Sequence, residues 1–277
     1  MSHKIPVVAV IGSPIAHSKS PKMHGYWLAQ NDIAGHYVPL DVAPADLETV
    51  LRTLPKMGFV GANITIPHKE AALKIADHVS DRAAKIGAAN TLFFDADGKI
   101  HADNTDGHGF IENLRAGCPT WSPTDGHAMV LGAGGASRAI IVALLEQGAP
   151  QVILSNRTRA RADDLAAEFG DDRIRVVDWA SAADDMSDVK TLVNTTSMGM
   201  VGHDPLPHDL ARLPLDALVT DIVYAPLITP LLQQAQDRGN PWVDGLGMLI
   251  YQGIPGFTKW FGTTPTVTHE LRELLLS

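Results

Sequence analysis

The chain has 277 residues, 45% hydrophobic and 19% charged, enough to bury one large or two medium cores. Its formal net charge of -9 argues against nucleic acid as a partner, because neutralising phosphates needs a broad basic face. A single cysteine, Cys118, excludes an internal disulfide and a cysteine metal cluster, and no apolar run is long enough to cross a bilayer, so no membrane partner is expected.

The start Met1-Ser2-His3-Lys4 runs into a strand-like Val7 to Ile11 with no signal-peptide pattern, which predicts a cytoplasmic protein. A helix over about Pro21 to Gln30, a strand His36 to Leu40, a helix Pro44 to Leu54 and a strand Gly61 to Ile66 follow, an α/β alternation. Just before the first helix, Ser20 is a good N-cap and Pro21 a good first helical residue. Ser20 therefore either only starts the helix or joins Ser18 and the helix N-terminus in holding a carboxylate. In Gly61-Ala62-Asn63-Ile64-Thr65-Ile66-Pro67-His68-Lys69, alternation puts Asn63 and Thr65 on one face and Ile64 and Ile66 on the other. Pro67 is predicted to start a helix near Lys69 to Ile75. A cation in that first turn opposes the helix dipole, so Lys69 is either a mildly unfavourable surface lysine or a functional one. A hairpin is predicted from Thr91 to Phe94 and Lys99 to Ala102, around Asp95-Ala96-Asp97-Gly98. The flanking clusters Ala88-Ala89-Asn90-Thr91 and Asn104-Thr105-Asp106-Gly107 are, taken singly, ordinary turn chemistry.

A helix Gly107 to Leu114 leads into the turn-rich loop Gly117 to Gly126, after which a second domain begins. The apolar run Ala128 to Leu131 ends in Gly132-Ala133-Gly134-Gly135-Ala136-Ser137-Arg138, then a helix Ser137 to Gln147, a stop at Gly148 and a strand Gln151 to Ser155. The turn reads G-x-G-G-x-S and lacks the last glycine of the full fingerprint, so a plain tight turn is the competing reading. The βαβ context favours a dinucleotide pyrophosphate at the helix N-terminus. Where NAD-binding folds place an acid for the ribose, Asn156 is neutral and Arg157, Arg159 and Arg161 bring cations, which selects NADP(H) unless those arginines are a solvated face. Strands at Ile174 to Val177, Thr191 to Asn194 and Leu218 to Val223 continue the sheet, and six strands look available. Asn194-Thr195-Thr196-Ser197-Met198-Gly199-Met200 either lines the cofactor or is a plain loop, and Tyr224 lies just past a strand.

The last forty residues carry an apolar helical stripe (Met248, Leu249, Ile250, Ile254, Phe257, Trp260, Phe261) and a short helix Glu270 to Leu276. They either cap the second domain or return to the first, with the return preferred. Gln252 on that helix faces solvent or faces inward, where it needs a partner. None of the twelve histidines forms a metal-ligand spacing, so no metal is expected. The domains are placed at 1–107, 108–243 and 244–277. Hydroxyls, amides, one lysine and one aspartate beside a nucleotide domain suit a small polyhydroxylated carboxylic acid whose alcohol is oxidised by NADP, with Lys69 and Asp106 handling the proton.

The sequence resembles the shikimate dehydrogenase family, whose members reduce 3-dehydroshikimate to shikimate with NADPH. The motifs run in order through Ser18-Lys19-Ser20-Pro21, Asn63 to Lys69, Ala89-Asn90-Thr91, Asn104-Thr105-Asp106, the glycine turn, Asn156-Arg157-Thr158, Asn194 to Gly199, Asp221-Ile222-Val223-Tyr224 and Asp244-Gly245-Leu246-Gly247-Met248-Leu249. The resemblance implies an N-terminal α/β substrate domain, a Rossmann-type doubly wound NADP-binding domain, and C-terminal helices packing back on the first domain. It implies Lys69 and Asp106 as the catalytic pair, with Ser18, Ser20, Asn63, Thr65, Asn90, Tyr224 and Gln252 around the substrate. Cofactor contacts are implied at Gly132, Ala133, Gly134, Gly135 and Ala136, at Asn156, Arg157, Thr158, Arg159 and Arg161, and at Ile222 and Gly245 around the nicotinamide. Asp81 matches a further position near the cofactor, although an Asp after Ser80 is also helix-start chemistry. Gly25 departs from the family's usual residue after the serine motif. A quinate/shikimate dehydrogenase using NAD(H), a non-catalytic NADP-binding regulator and an enzyme for an amino-substituted substrate are the competing readings, and a homodimer is left open.

Overall fold

The computed structural model describes residues 5–277, which separate into two units: the chain up to Thr105 together with Ile250–Ser277, and Asp106–Leu249. In the first unit, six strands, β1 (Val7–Gly12), β2 (His36–Asp41), β3 (Phe59–Ile64), β4 (His78–Val79), β5 (Thr91–Phe94) and β6 (Ile100–Asp103), form one sheet in the order β2-β1-β3-β5-β6-β4. β1 runs parallel to β2 and β3, β5 and β6 are the antiparallel hairpin, and β4 lies parallel to β6 at the edge. Helices α1 (Ser20–Gln30), α2 (Leu47–Thr53), α3 (Lys69–Ile75) and α4 (Asp81–Ile86) connect them. Period-two alternation divides β1 between two cores: Ala9 and Ile11 pack with Leu47, Leu51, Ile64 and Leu92, while Val8 and Val10 pack with Ile15, Tyr37 and Trp260. Both edges are short of free donors. The N–H groups of His36 and Val42 bond Pro6 and Gly12 on the β1 side, so alternation turns Pro39, which has no N–H, toward the open edge of β2; the other edge strand is two residues long.

Four local expectations are corrected in this unit. The helix expected over Pro44 to Leu54 is a 3-10 turn (Pro44–Asp46), α2, and a second 3-10 turn (Leu54–Met57), because Pro55 cannot donate to a continuing α-helix and Gly58, at φ +93°, ends it. β3 stops at Ile64, two residues early, so the alternation does not reach Ile66. That side chain is 75% exposed, whereas Ile64 is 2% exposed. Ile66 and Pro67 form a turn, and α3 starts only at Lys69, with His68 at its N-cap position. Ser20 is the first residue of α1 rather than its N-cap, a position held by Lys19 without a side-chain cap.

The second unit holds a wholly parallel sheet of β7 (His127–Leu131), β8 (Val152–Ser155), β9 (Ile174–Val177), β10 (Val189–Asn194), β11 (Leu218–Asp221) and β12 (Trp242–Val243), in the order β12-β11-β10-β7-β8-β9. The sixth strand is β12. The helices are α5 (Asp106–Gly117), α6 (Gly135–Glu146), α7 (Arg159–Phe169) and α8 (Pro230–Arg238). Alternate residues face opposite cores: Val130, Val152 and Leu154 meet α5, α6 and α7, whereas Met129, Leu131 and Ile153 meet α8. A strand buried on both faces reads as a continuous apolar run, which is how β7 and β8 appear in the sequence. The strand order reverses between β7 and β10, and in such open sheets ligands bind at the carboxyl ends of the strands at that reversal.

The chain closes with α9 (Leu246–Phe261), whose residues from Ile250 onward belong to the first unit, and α10 (His269–Leu276). Trp260 Nε1 donates to Leu92 O at 3.0 Å, and Gly61 makes room for the indole. The Lys19 and Lys22 ammonium groups, unfavourable at the start of α1, instead reach Leu275 O and Ser277 Oγ at the carboxyl end of α10, where the dipole favours cations. Among the described residues no helix is long and apolar enough to cross a membrane.

Candidate active site

In the first unit, four of the implied substrate residues meet in one hydrogen-bonded cluster at the ends of β3 and β5. Asn90 Oδ1 accepts from Thr105 N at 2.8 Å and Thr91 Oγ1 at 2.8 Å, while Asn90 Nδ2 donates to Gln252 Oε1 at 3.2 Å. Asn63 Nδ2 donates to Asn90 O at 3.1 Å and Thr91 Oγ1 at 3.3 Å. Tyr37 Oη donates to Asn63 Oδ1 at 2.6 Å and accepts from the Ser20 hydroxyl. Thr105 Oγ1 also donates to Gln252 O at 2.8 Å, which ties α9 to the cluster, so Gln252 faces inward and has its partners. Asn63, Asn90, Thr91 and Thr105 are all buried, where an unmet amide or hydroxyl would cost about 1–3 kcal/mol.

The neighbouring residues are set by backbone. Thr65 N donates to Ile11 O at 2.9 Å, holding the half-buried Thr65 beside β1; a Cβ at Gly12 would lie 2.6 Å from the Thr65 methyl. Lys69 O accepts from Ala89 N at 2.9 Å, which fixes the start of α3 one residue from Asn90. Buried His68 anchors the same turn through Nε2 to Val42 O at 2.8 Å. Ser18 Oγ accepts from Ser20 N at 3.3 Å. Asp106 follows Thr105 directly, is 7% exposed and opens α5, where a carboxylate suits the dipole. Asp81 stands apart from this cluster: it is exposed and opens α4 after the Ser80 cap, whose Oγ accepts from Ala83 N at 3.1 Å.

In the second unit, the glycine turn is a built cradle. Gly132, at φ +114°, ends β7 where a Cβ would meet Thr195 Oγ1 at 2.6 Å, so both conformation and space demand glycine. At Gly134 and Gly135 no protein atom lies within 4 Å of where a Cβ would sit. No neighbouring protein atom requires glycine there, and the open space beside the backbone N–H groups of α6 would admit a pyrophosphate. Asn156 Oδ1 accepts from Ala133 N at 3.1 Å, and Asn156 Nδ2 donates to Thr158 O at 2.8 Å, joining the turn to the end of β8. Arg157, Thr158 and Arg161 are exposed, and neither Arg157 nor Arg161 has an ion pair among the described residues. Arg159 differs: it is paired to Asp178 at 2.8 Å and Asp163 at 3.5 Å, and its hydrogen bond to Asp178 holds its pKa up.

Asn194 to Gly199 is shaped by buried Asp221. Its carboxylate accepts from Asn194 Nδ2 at 3.0 Å, Val223 N at 3.0 Å and Thr229 Oγ1 at 2.7 Å; burial pushes its pKa up against those donors. Asn194 Oδ1 in turn accepts from Thr196 N and Oγ1, so internal hydrogen bonding accounts for much of this motif. Gly245 permits a close approach of two backbones, since a Cβ there would lie 2.5 Å from Ile222 O. Ile222 and Gly245 are thus neighbours. Tyr224 follows in the loop after β11, mostly buried, and burial raises its pKa. The fit for a dinucleotide with a 2′-phosphate is good, and its holders would be Gly132 to Ala136, Asn156, Arg157, Thr158 and Arg161. Among the described residues no group of three or more His, Cys, Asp or Glu side chains could hold a metal ion.

Comparison with known proteins gives two profile matches, the shikimate dehydrogenase substrate-binding domain over residues 10–92 and shikimate/quinate 5-dehydrogenase over residues 120–201. A shikimate dehydrogenase (NADP(+)) of Roseobacter denitrificans is 58% identical over 273 residues, 99% of this chain and 98% of that protein. The chain belongs to the shikimate dehydrogenase family. Two solved structures agree in fold over nearly the full length. Shikimate 5-dehydrogenase from Thermus thermophilus, in complex with NADP(H) and shikimate, is 38% identical with a TM-score of 0.86, covering 98% of each chain. Quinate dehydrogenase from Corynebacterium glutamicum, in complex with NAD, is 32% identical with a TM-score of 0.91, covering 99% of each chain. As a member of this family the protein is an oxidoreductase acting on a small molecule. One residue of the cluster, Tyr37, carries no sign in the sequence beyond being a lone tyrosine in a predicted strand otherwise lacking large aromatic residues.

Proposed function

We propose that the protein is an NADP-dependent shikimate dehydrogenase, interconverting 3-dehydroshikimate and shikimate. The observation that carries this reading is the 58% identity, along the whole chain, to a protein named for that activity and that cofactor. The exposed Arg157 beside the glycine turn supports NADP over NAD, because a guanidinium pairs well with a 2′-phosphate. Ser18, Ser20, Asn63, Thr65, Asn90, Tyr224 and Gln252 are read as the substrate residues, with Ile222 and Gly245 toward the nicotinamide and Asp81 and Arg159 as outlying cofactor positions.

A bound NADPH supplies the hydride that reduces the substrate carbonyl. The residues of the chain then have the remaining task, since the oxygen left at C3 must gain a proton in reduction and lose one in oxidation. Lys69 exchanges that proton, and Asp106 is the carboxylate that assists it. The cluster around Asn63 and Asn90 holds the ring hydroxyls, whose donors and acceptors match amides and hydroxyls. We read the first unit as the substrate domain, the second as the NADP domain and the C-terminal helices as part of the first. The protein is taken to be cytoplasmic, and a homodimer is a question for sedimentation.

Initial rates with shikimate and quinate, each against NADP+ and NAD+, test this. The expected outcome is a kcat/KM for shikimate with NADP+ at least about tenfold above every other combination, the size of one well-placed charged hydrogen bond. The alternative, a quinate/shikimate dehydrogenase using NAD(H), draws on the TM-score of 0.91 to the quinate enzyme and would be favoured by a quinate/NAD+ preference. Absence of turnover with all four pairs would leave a binding-only regulator.

A further inference from the structure

Tyr37 lies between two residues of the proposed substrate site, and the direction of every hydrogen bond through it is forced from the inner end. Asn63 Nδ2 faces the backbone carbonyl of Asn90, which can only accept. The amide therefore cannot flip without setting two oxygens against each other. With Nδ2 inward, Oδ1 faces the phenol, so Tyr37 must donate to it; the 2.6 Å distance is that of a strong bond. The phenol oxygen is left as an acceptor, which makes Ser20 the donor to it. The ring cannot swing away. His24 is stacked on it, with centroids 4.0 Å apart and planes within 3°, and Tyr37 is the one buried residue of β2.

We propose that Tyr37 is a positioning residue for substrate recognition, whose hydroxyl tethers Asn63 by occupying one lone pair of its Oδ1 and gives the Ser20 hydroxyl an acceptor, so that each presents a single polar face to the ligand. The inference rests on the substrate roles proposed above for those two residues. Both Asn63 N–H bonds are spent on Asn90 and Thr91, so a ligand meets that amide only through the remaining lone pair of Oδ1. Such a group suits a hydroxyl donor and repels a carboxylate. Without the phenol, Asn90 and Thr91 still hold the amide the same way round, but Oδ1 gains an unsatisfied lone pair and loses its tether, and the Ser20 hydroxyl, without its acceptor, is free to turn.

The test is Tyr37→Phe, which keeps the ring and its stack and removes only the hydroxyl. KM for shikimate is expected to rise about tenfold, matching one lost hydrogen bond, with kcat changed less than about threefold and KM for NADP+ unchanged. The side-chain amide protons of Asn63, followed by 1H–15N spectroscopy in the ligand-free protein, are expected to exchange faster than in wild type. Tyr37→Leu, which also removes the stack, should lower Tm further and serves as the packing control. A lower Tm in Tyr37→Phe with KM and amide exchange both unchanged would reduce Tyr37 to a packing residue and overturn the proposal. Wild-type protein inactive on shikimate would refute the functional reading instead, and the amide exchange would still decide whether Tyr37 tethers Asn63.

Discussion

At Lys69 the chain puts an ammonium in the first turn of α3, where the helix dipole opposes it. A residue that runs against a local preference points to a task elsewhere, and proton exchange at the substrate oxygen is the task proposed above for it. Lys69→Ala should lower kcat roughly 100-fold or more while the Kd for shikimate changes less than about threefold, read from steady-state rates and equilibrium binding. A comparable loss in binding would make Lys69 a holder of substrate rather than its proton donor. The residues most legible in the sequence were those whose chemistry is local: glycines before a helix, and arginines where an acid was expected. Tyr37 was not legible because its partner Asn63 is 26 residues away on another strand, and only the paired sheet brings them together.

For elements, periodicity read the strands well and their ends poorly. β3 was expected to reach Ile66 because its alternation continues on paper; the turn at Ile66 and Pro67 stops it, and the alternation carries no record of pairing. The sequence does not mark α7 and α8, since their buried faces are narrow: Ala162 and Leu165 in one, Leu231, Leu232 and Ala235 in the other. The return of α9 to the first unit was open in the sequence, and Gly61 shows what fastens it there. A Cβ at Gly61 would lie 2.0 Å from Trp260 Nε1 and 2.4 Å from Leu92 O, the two atoms that bond each other. Gly61→Ala should therefore destabilise the protein by about 1–3 kcal/mol, seen as a lower urea midpoint. An unchanged midpoint would mean that α9 shifts at no cost, and that its hold on Gln252 is loose.

For the whole molecule, the doubly wound unit was readable because a βαβ pattern with a glycine turn repeats the logic of one known architecture, while the first unit needed its sheet order to be seen. Stability toward acid is also a property of the whole. His24 is fully buried, with neither ring nitrogen hydrogen-bonded, and burial lowers its pKa from 6.5 to about 3. Below about pH 6.5 the unfolded chain binds a proton that the native chain refuses, so stability is full above that pH and falls on acidification toward pH 3, by up to about 1.4 kcal/mol per unit. His208, lowered by burial, acts in the same sense. Carboxylates with lowered pKa values, such as Asp103, held down by Arg82 and Ser80 against burial, contribute only nearer pH 4. Tm should thus fall between pH 6.5 and 4.5 in the wild type and fall less in His24→Leu; parallel profiles would assign the acid sensitivity to other groups.

The guarded rims of the first sheet bear on how copies of this chain can meet. With Pro39 interrupting one outer row of backbone donors and only His78 and Val79 forming the other rim, a neighbouring molecule finds little main chain to zip onto. Ribbon-to-ribbon growth, the usual first step toward fibrils, is discouraged even in a crowded cell. Any pairing of two copies through this unit has to be written in side chains.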